Sequence, residues 1–248
     1  MRAQACLTIV AAALWCAQTP AQDSSSNMAR IGKMRKALLG DSPLSDLSSR
    51  IEEVRKATLA EILGILNSTT LSTGEIDAKI RDIDKDYWAK PASILRKELA
   101  GTNVVVVAYA ILHGGDAIPA ATPVIEAFRD VGHQYQEVGH SGESLENSAI
   151  KIEQLPSPWP TELRIFAHGQ QTMVMQYHEK AAILSFDGFH LKELWVAKAP
   201  LKAPDFEITK EALIITYEDE EKAGPALVKT IALTPGGALE IGTVSKAK

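Results

Sequence analysis

Asn103-Val104-Val105-Val106-Val107-Ala108-Tyr109-Ala110-Ile111-Leu112 is the stretch on which the fold turns. The uninterrupted apolar run from Val104 to Leu112 is too short for a buried helix and is rich in β-branched residues, so it reads as a central strand. From Asn103 onward the chain keeps this texture, with β-branched runs, short alternating segments and turn residues. Phe186-Asp187-Gly188-Phe189 lies between two such runs, and Asp-Gly tolerates the positive φ angles of a tight hairpin.

The segments recur. Val104–Val107, Val124–Phe128 and Tyr135–Val138 can be laid on Leu163–Phe166, Ala182–Phe186 and Leu191–Trp195, with Phe128 and Phe186 standing 58 residues apart. A fourth run closes each unit, Ala149–Glu153 in the first and Asp205–Thr209 in the second. A shortened third unit uses Leu213–Tyr217, Leu227–Leu233 and Ala238–Ile241, with Pro235-Gly236-Gly237 as its turn. Four antiparallel strands per unit is the pattern of a propeller blade, although two meandering sheets packed face to face give a similar one.

Upstream the apolar period changes. Leu44, Leu47, Ile51, Val54, Thr58, Ile62 and Ile65 advance by three or four residues and define one helical stripe, opened by Ser42-Pro43 with Asp46 in the first turn. A second helix is expected from Thr73 to Asp84, where Glu75 and Lys79, and Asp77 and Arg81, stand four apart, and a third from Ala92 to Leu99. Asp23-Ser24-Ser25-Ser26 reads as a flexible terminus. The expected fold class is α+β: an N-terminal helical segment over residues 22–100, then an all-β region over 101–248. That region is built of blade-like antiparallel four-stranded repeats at about 103–154, 161–209 and 211–242, arranged as a propeller-like stack or a β-sandwich.

Ahead of all this, Met1-Arg2, the apolar stretch Leu7–Trp15 and the small residues Thr19 and Ala21 compose a secretory signal peptide over residues 1–21, with cleavage before Gln22. The apolar stretch is about half of the roughly 20 residues that a spanning helix needs, so no transmembrane segment is expected after its removal. Trp15 before Cys16 argues against a lipid-attachment site. Both cysteines, Cys6 and Cys16, fall within the signal, which leaves the mature chain without a thiol for a disulfide, a nucleophile or a soft metal site. Loss of Arg2 leaves 25 basic against 31 acidic residues, a balance of −6, and no basic block suited to nucleic acid. The expected location is secreted or periplasmic, and the expected partner is a protein or another cell-envelope component.

Several motifs approach a chemistry and stop short. Gly139-His140-Ser141-Gly142, with His113-Gly114-Gly115 upstream, resembles the nucleophile turn and oxyanion loop of serine hydrolases, but Glu143 occupies the second glycine position. Asp82, Asp84 and Asp86 alternate as in a calcium loop, yet Tyr87 and Ser93 stand where the glycine and the bidentate acid belong. All six histidines, His113, His133, His140, His168, His178 and His190, lie in the β half, but no close-spaced ligand pair is visible, so neither a metal nor another cofactor is expected. On a single strand His133, Tyr135 and Glu137 share a face. Trp159, in Pro156-Ser157-Pro158-Trp159-Pro160, sits in a polyproline-like connector between the two repeats, a stiff linker with the indole capping the core or, as such segments can be, a recognition surface.

The candidate binding residues are therefore His113, His133, Tyr135, Glu137, His140 and Trp159. The function they fit is non-catalytic binding or interaction by an exported β-repeat protein. The alternative is a secreted hydrolase using acids and histidines of loops such as His113–Asp116 and His140–Glu143. An enzyme gathers His, Asp or Glu within hydrogen-bond reach in one cleft, which is the observation that separates the two.

Overall fold

The computed structural model describes residues 24–40, 44–84, 91–114, 119–146, 148–157, 160–171, 178–218, 226–234 and 237–245. Residues 1–21, expected to be a signal peptide, lie outside the described residues, as do Ser42-Pro43, Asp86, Asp116, Trp159 and Pro235-Gly236.

Three helices precede twelve strands among the described residues: α1 (Ser24–Leu39), α2 (Leu44–Leu66) and α3 (Thr73–Arg81), the last continued by a 3₁₀ turn at Asp82–Asp84. The strands are β1 (Ser93–Leu99), β2 (Thr102–His113), β3 (Ala120–Asp130), β4 (Tyr135–Ser141), β5 (Ser148–Leu155), β6 (Leu163–Gln171), β7 (His178–Phe186), β8 (Leu191–Val196), β9 (Leu201–Ile208), β10 (Ala212–Glu218), β11 (Leu227–Thr234) and β12 (Gly237–Ser245). Helices followed by antiparallel strands make the α+β class plain. No helix among the described residues is long and apolar enough to cross a membrane.

β1 to β4 form one meander, and the other eight strands form a second sheet ordered β12-β11-β10-β9-β7-β6-β5, with β8 on β7. The second sheet is forked at β7. Its first residues, His178 and Glu179, pair with Lys202 and Leu201 of β9, while Ala182–Phe186 pair with β8. The fork lets β9–β12 fold back over the face that β5–β8 turn away from the first meander, giving three stacked four-strand units. One core joins the first and second units through Val104, Val106, Ile125, Ile165 and Phe186. Another joins the second and third through Phe166, Ile183, Leu213 and Ile231.

The helices close the outer face of the first unit. Val54, Ile62 and Ile65 of α2 and Ile76 and Ile80 of α3 pack on Val105, Val107, Tyr109 and Phe128. β2 is thus covered from both sides, which is why its nine apolar residues need no polar alternation. α3 starts on a capping box in which the Ser72 side chain meets the Glu75 backbone and Glu75 returns to the Ser72 amide.

Three expectations are corrected. Ser24–Leu39 is a helix, although Asp23–Ser26 reads as a flexible terminus. Its stripe runs Met28, Ile31 and Leu38 with Arg35 standing at an inward position, and that buried guanidinium reaches Thr58 Oγ1 at 3.4 Å. Ala92–Leu99 is no helix. Ser93–Leu99 pairs with Thr102–Ala108 across a turn in which Ala100 and Gly101 both take positive φ, 49° and 78°. Because β1 opens the first unit, the grouping of strands moves by one: Ala149–Glu153 lies in β5, which pairs with β6 and opens the second unit, and Asp205–Thr209 overlaps β9 of the third. Phe128 and Phe186 consequently sit on the third strand of their units, each fully buried on the side facing the preceding layer.

Candidate functional site

β3 and β4 are joined by a two-residue turn, Gly132-His133, with φ of 62° and 68°, closed by Val131 N–H donating to the Gln134 carbonyl at 2.8 Å. His133 is therefore an exposed turn residue and does not share the face of Tyr135 and Glu137. Tyr135 packs on the helix side, and its backbone is clamped by Asn67, whose side chain accepts from Tyr135 N–H at 2.6 Å and donates to its carbonyl at 3.0 Å. A register shift opposite Ala127 and Phe128 then sets Glu137 against Phe128 and His140 against Glu126.

The bulge thereby gathers Glu137 and His140 around an arginine of α2. Arg55 grips both oxygens of Glu52 at 2.8 and 3.0 Å, reaches Glu126 Oε1 at 3.0 Å and lies 3.5 Å from Glu137 Oε1. His140 Nδ1 is 3.4 Å from Glu137 Oε1. Glu126 is fully buried, accepts from Tyr109 O–H at 3.2 Å through Oε1, and has no partner at Oε2. Burial, reinforced by Glu137 and opposed by Arg55 and Tyr109, pushes its carboxyl up to about 7. With Glu126 closed off from solvent, this network fastens α2 to the sheet.

His113 ends β2, and its Nε2 lies 3.0 Å from Thr122 Oγ1. Burial holds its ring below the usual histidine range. With Leu47, Ser48, Ile51 and Glu143 it lines a shallow groove of about 330 Å³ between α2 and β3. Ser141 closes β4 and donates to Glu193 Oε1 at 3.1 Å, and the residues after it form only a 3₁₀ turn, Glu143–Leu145. That is a tie between β4 and β8 without the helix a nucleophile turn requires. Trp159 lies outside the described residues.

The densest meeting of histidine and acid is elsewhere, at the fork of the second sheet. His168 on β6 stands opposite Ala181 of β7 and Lys151 of β5, so Glu179 and Glu153, each two residues along a neighbouring strand, share its face. Its imidazole is nearly buried. Nδ1 lies 2.6 Å from Glu179 Oε2, a separation that requires a proton between them, and Nε2 lies 3.5 Å from Glu153 Oε1. Phe166 stacks on the ring at 4.6 Å, and Phe206 of β9 closes from the third unit at 4.7 Å. Lys151 Nζ holds Glu153 at 2.8 Å, which with His168 keeps that carboxyl below the usual range against the burial that raises it.

Lys151, Glu153, His168, Glu179, Asp205 and Phe206 line a polar cleft of about 330 Å³. Gly169, next to His168, is required by the close passage of β5: an added Cβ would stand 2.4 Å from the Ala149 carbonyl oxygen. No group of three or more His, Cys, Asp or Glu suited to a metal ion occurs among the described residues. The sequence carries a faint signal of this site in the alternations Lys151-x-Glu153 and Phe166-x-His168. Linking them to Glu179 needs the β6–β7 register.

No family model matches the chain, and no curated protein matches it. Among solved structures it is similar to a mutant of the Aleuria aurantia lectin AAL in complex with Fucalpha1-6GlcNAc, with a TM-score of 0.31 and 11% identity over 63% of this chain and 48% of that one. The chain spans about half the length of that lectin.

Proposed function

We propose that this chain is an exported, non-catalytic β-repeat binding protein, and that its ligand, presented by a protein or another cell-envelope component, sits in the cleft where the second unit meets the third. The observation that carries this reading is His168: a buried imidazole anchored by Glu179, with its other nitrogen turned toward a cleft that pairs charged groups with the ring of Phe206. A fixed polar group at the base of a concavity, flanked by an aromatic wall, is how small-ligand sites obtain orientation and contact area together. Export rests on the segment 1–21, and N-terminal sequencing of the mature form should begin at or near Gln22.

The same pair supports a second reading. A histidine oriented by a carboxylate is the arrangement of a general base, so His168 and Glu179 are where a hydrolase would place its proton transfer. Against it, no serine, threonine or cysteine lines the cleft among the described residues.

Capture from an envelope extract separates the two. Mature wild type should retain a component that His168→Ala and Glu153→Gln lose while their circular dichroism stays unchanged. Equal capture by all three proteins would remove the cleft as the seat. Ester hydrolysis by the wild type that disappears in Glu179→Gln would replace binding with the hydrolase.

A further inference from the structure

Each sheet edge exposes a row of backbone N–H and C=O groups, and proteins guard such edges with charged side chains, proline or cover. Four of the edges here are guarded: β1 carries Arg96, Lys97 and Glu98, β4 carries Glu137 and His140, β5 carries Lys151 and Glu153, and β8 carries Lys192 and Glu193. β12 is different. Its sequence, Gly-Ala-Leu-Glu-Ile-Gly-Thr-Val-Ser, holds one charge, Glu240, and that side chain turns back to accept from Trp195 Nε1 at 3.2 Å and to pair with Lys229 at 3.2 Å. It also carries Leu239, Ile241 and Val244, exposed by 62, 66 and 65%, which are three of the five exposed large hydrophobics among the described residues.

We infer that two copies of this chain associate through β12, paired edge to edge and antiparallel about a two-fold axis, so that the sheet runs continuously from one copy into the other. A two-fold axis sets the strand against itself, so each copy's backbone row and apolar strip become the partner of the other's. Charge favours this partner over the remaining edges of the molecule. Pairing β12 with any of those would oppose its apolar side chains to ionised ones, whereas β12 on β12 brings only uncharged side chains and the two tethered Glu240 to the seam.

Besides Glu240, the acidic residues on the described strands of the third unit are Asp205 and Glu207 on β9, three strands or about 14 Å from the edge, and Glu218 at the end of β10, two strands or about 10 Å from it and paired with Lys202 at 3.2 Å. Both distances exceed a screening length of about 8 Å at physiological salt, so the net negative charge of the two copies does not oppose the contact there. Among the described residues no helix covers the outer face of the third unit, unlike that of the first, and the pairing leaves that face open on one side of a wider sheet.

Sedimentation equilibrium of the mature wild type across a wide dilution series tests the pairing. A species of twice the chain mass, dissociating on dilution, is expected. Ile241→Lys, which places a charge on the edge without touching a buried residue, should sediment as a monomer with unchanged circular dichroism, while Val131→Lys in the distant β3–β4 turn should still dimerise. In the wild type, amide exchange over residues 237–245 should slow as concentration rises. A wild type that stays monomeric, an Ile241→Lys variant that still dimerises, a larger open assembly, or exchange at β12 that ignores concentration would each overturn the inference. Binding of β12 by a foreign strand would show as a monomer with protected amides only when another protein is added, and that result also overturns it.

Discussion

Replacing Glu126 with glutamine tests the reading of the α2 latch in a single number. Glu126 is buried against Arg55, Tyr109 and Glu137, and its carboxyl is raised from 4.5 to about 7, first by desolvation and then by Glu137. Because the folded chain holds this proton more tightly than the unfolded chain does, folding is penalised as the proton is lost. The penalty is absent below about pH 4.5, grows up to about pH 7 and is complete above it, where it amounts to about 3 kcal/mol. The orientation of the carboxyl agrees: Oε1 takes both hydrogen bonds and Oε2 has none, so ionisation leaves a buried, unpartnered oxygen carrying charge.

Glutamine keeps the shape and cannot ionise. Its unfolding free energy relative to wild type should therefore rise by about 3 kcal/mol between about pH 4.5 and about pH 7.5, whatever its offset at the acid end. Urea melts of both proteins at several pH values read this directly, since other acid-sensitive groups, such as Glu52 and Glu75 with their lowered values, are common to both and cancel. A difference that stays flat with pH, or that turns against glutamine as pH rises, would mean that the ion pair with Arg55 outweighs desolvation, and the reasoning would fail.

Phe128→Ala and Phe186→Ala should each cost about 3–5 kcal/mol in a denaturant melt, since both rings are fully buried on matching strands, and one nearly silent substitution would end the equivalence of the two units. Gly169→Ala should lose about 1–3 kcal/mol in thermal unfolding, because its Cβ would meet the Ala149 carbonyl at 2.4 Å and β5 has to move, and unchanged stability would refute that close approach. Asn67→Ala removes both hydrogen bonds to the Tyr135 backbone and should cost about 1–2 kcal/mol, with faster amide exchange at Tyr135 as the specific sign.

The elements that were legible, in both halves of the chain, are those whose signals are local. The α2 stripe, the Asp-Gly hairpin and the uninterrupted β2 run follow from period and turn chemistry, and the hairpin forms one residue later than the Asp-Gly pair, about Gly188-Phe189, with Asp187 N–H donating to the His190 carbonyl at 3.4 Å, Gly188 at φ 90° and the Asp187 carboxylate accepting from the amides of Phe189 and His190. Where a polar residue occupied an inward position the pattern misled: Arg35 hid α1. The Ala92–Leu99 segment misled for another reason, since Ile94, Leu95 and Leu99 fit a helix as well as a strand covered on both faces, and only the partner strand decides.

The candidate site divides in the same way. Tyr135 and Glu137 share a face because side chains alternate along any strand, and that much follows from spacing alone. His133 left that face because the turn takes in Gly132 and His133 and the strand starts only at Tyr135, and His140 joined it through a bulge, which no period encodes. By itself the sequence determined the apolar periods, the turn residues, the absence of cysteine after residue 21 and hence the α+β class. Tertiary structure alone decided which strands pair, that β7 forks between β8 and β9, and that His168, Glu179 and Phe206 meet. Periodicity is a property of neighbours along the chain, whereas these contacts depend on registers between strands and on the stacking of one sheet over another, where the free energy of burial is realised.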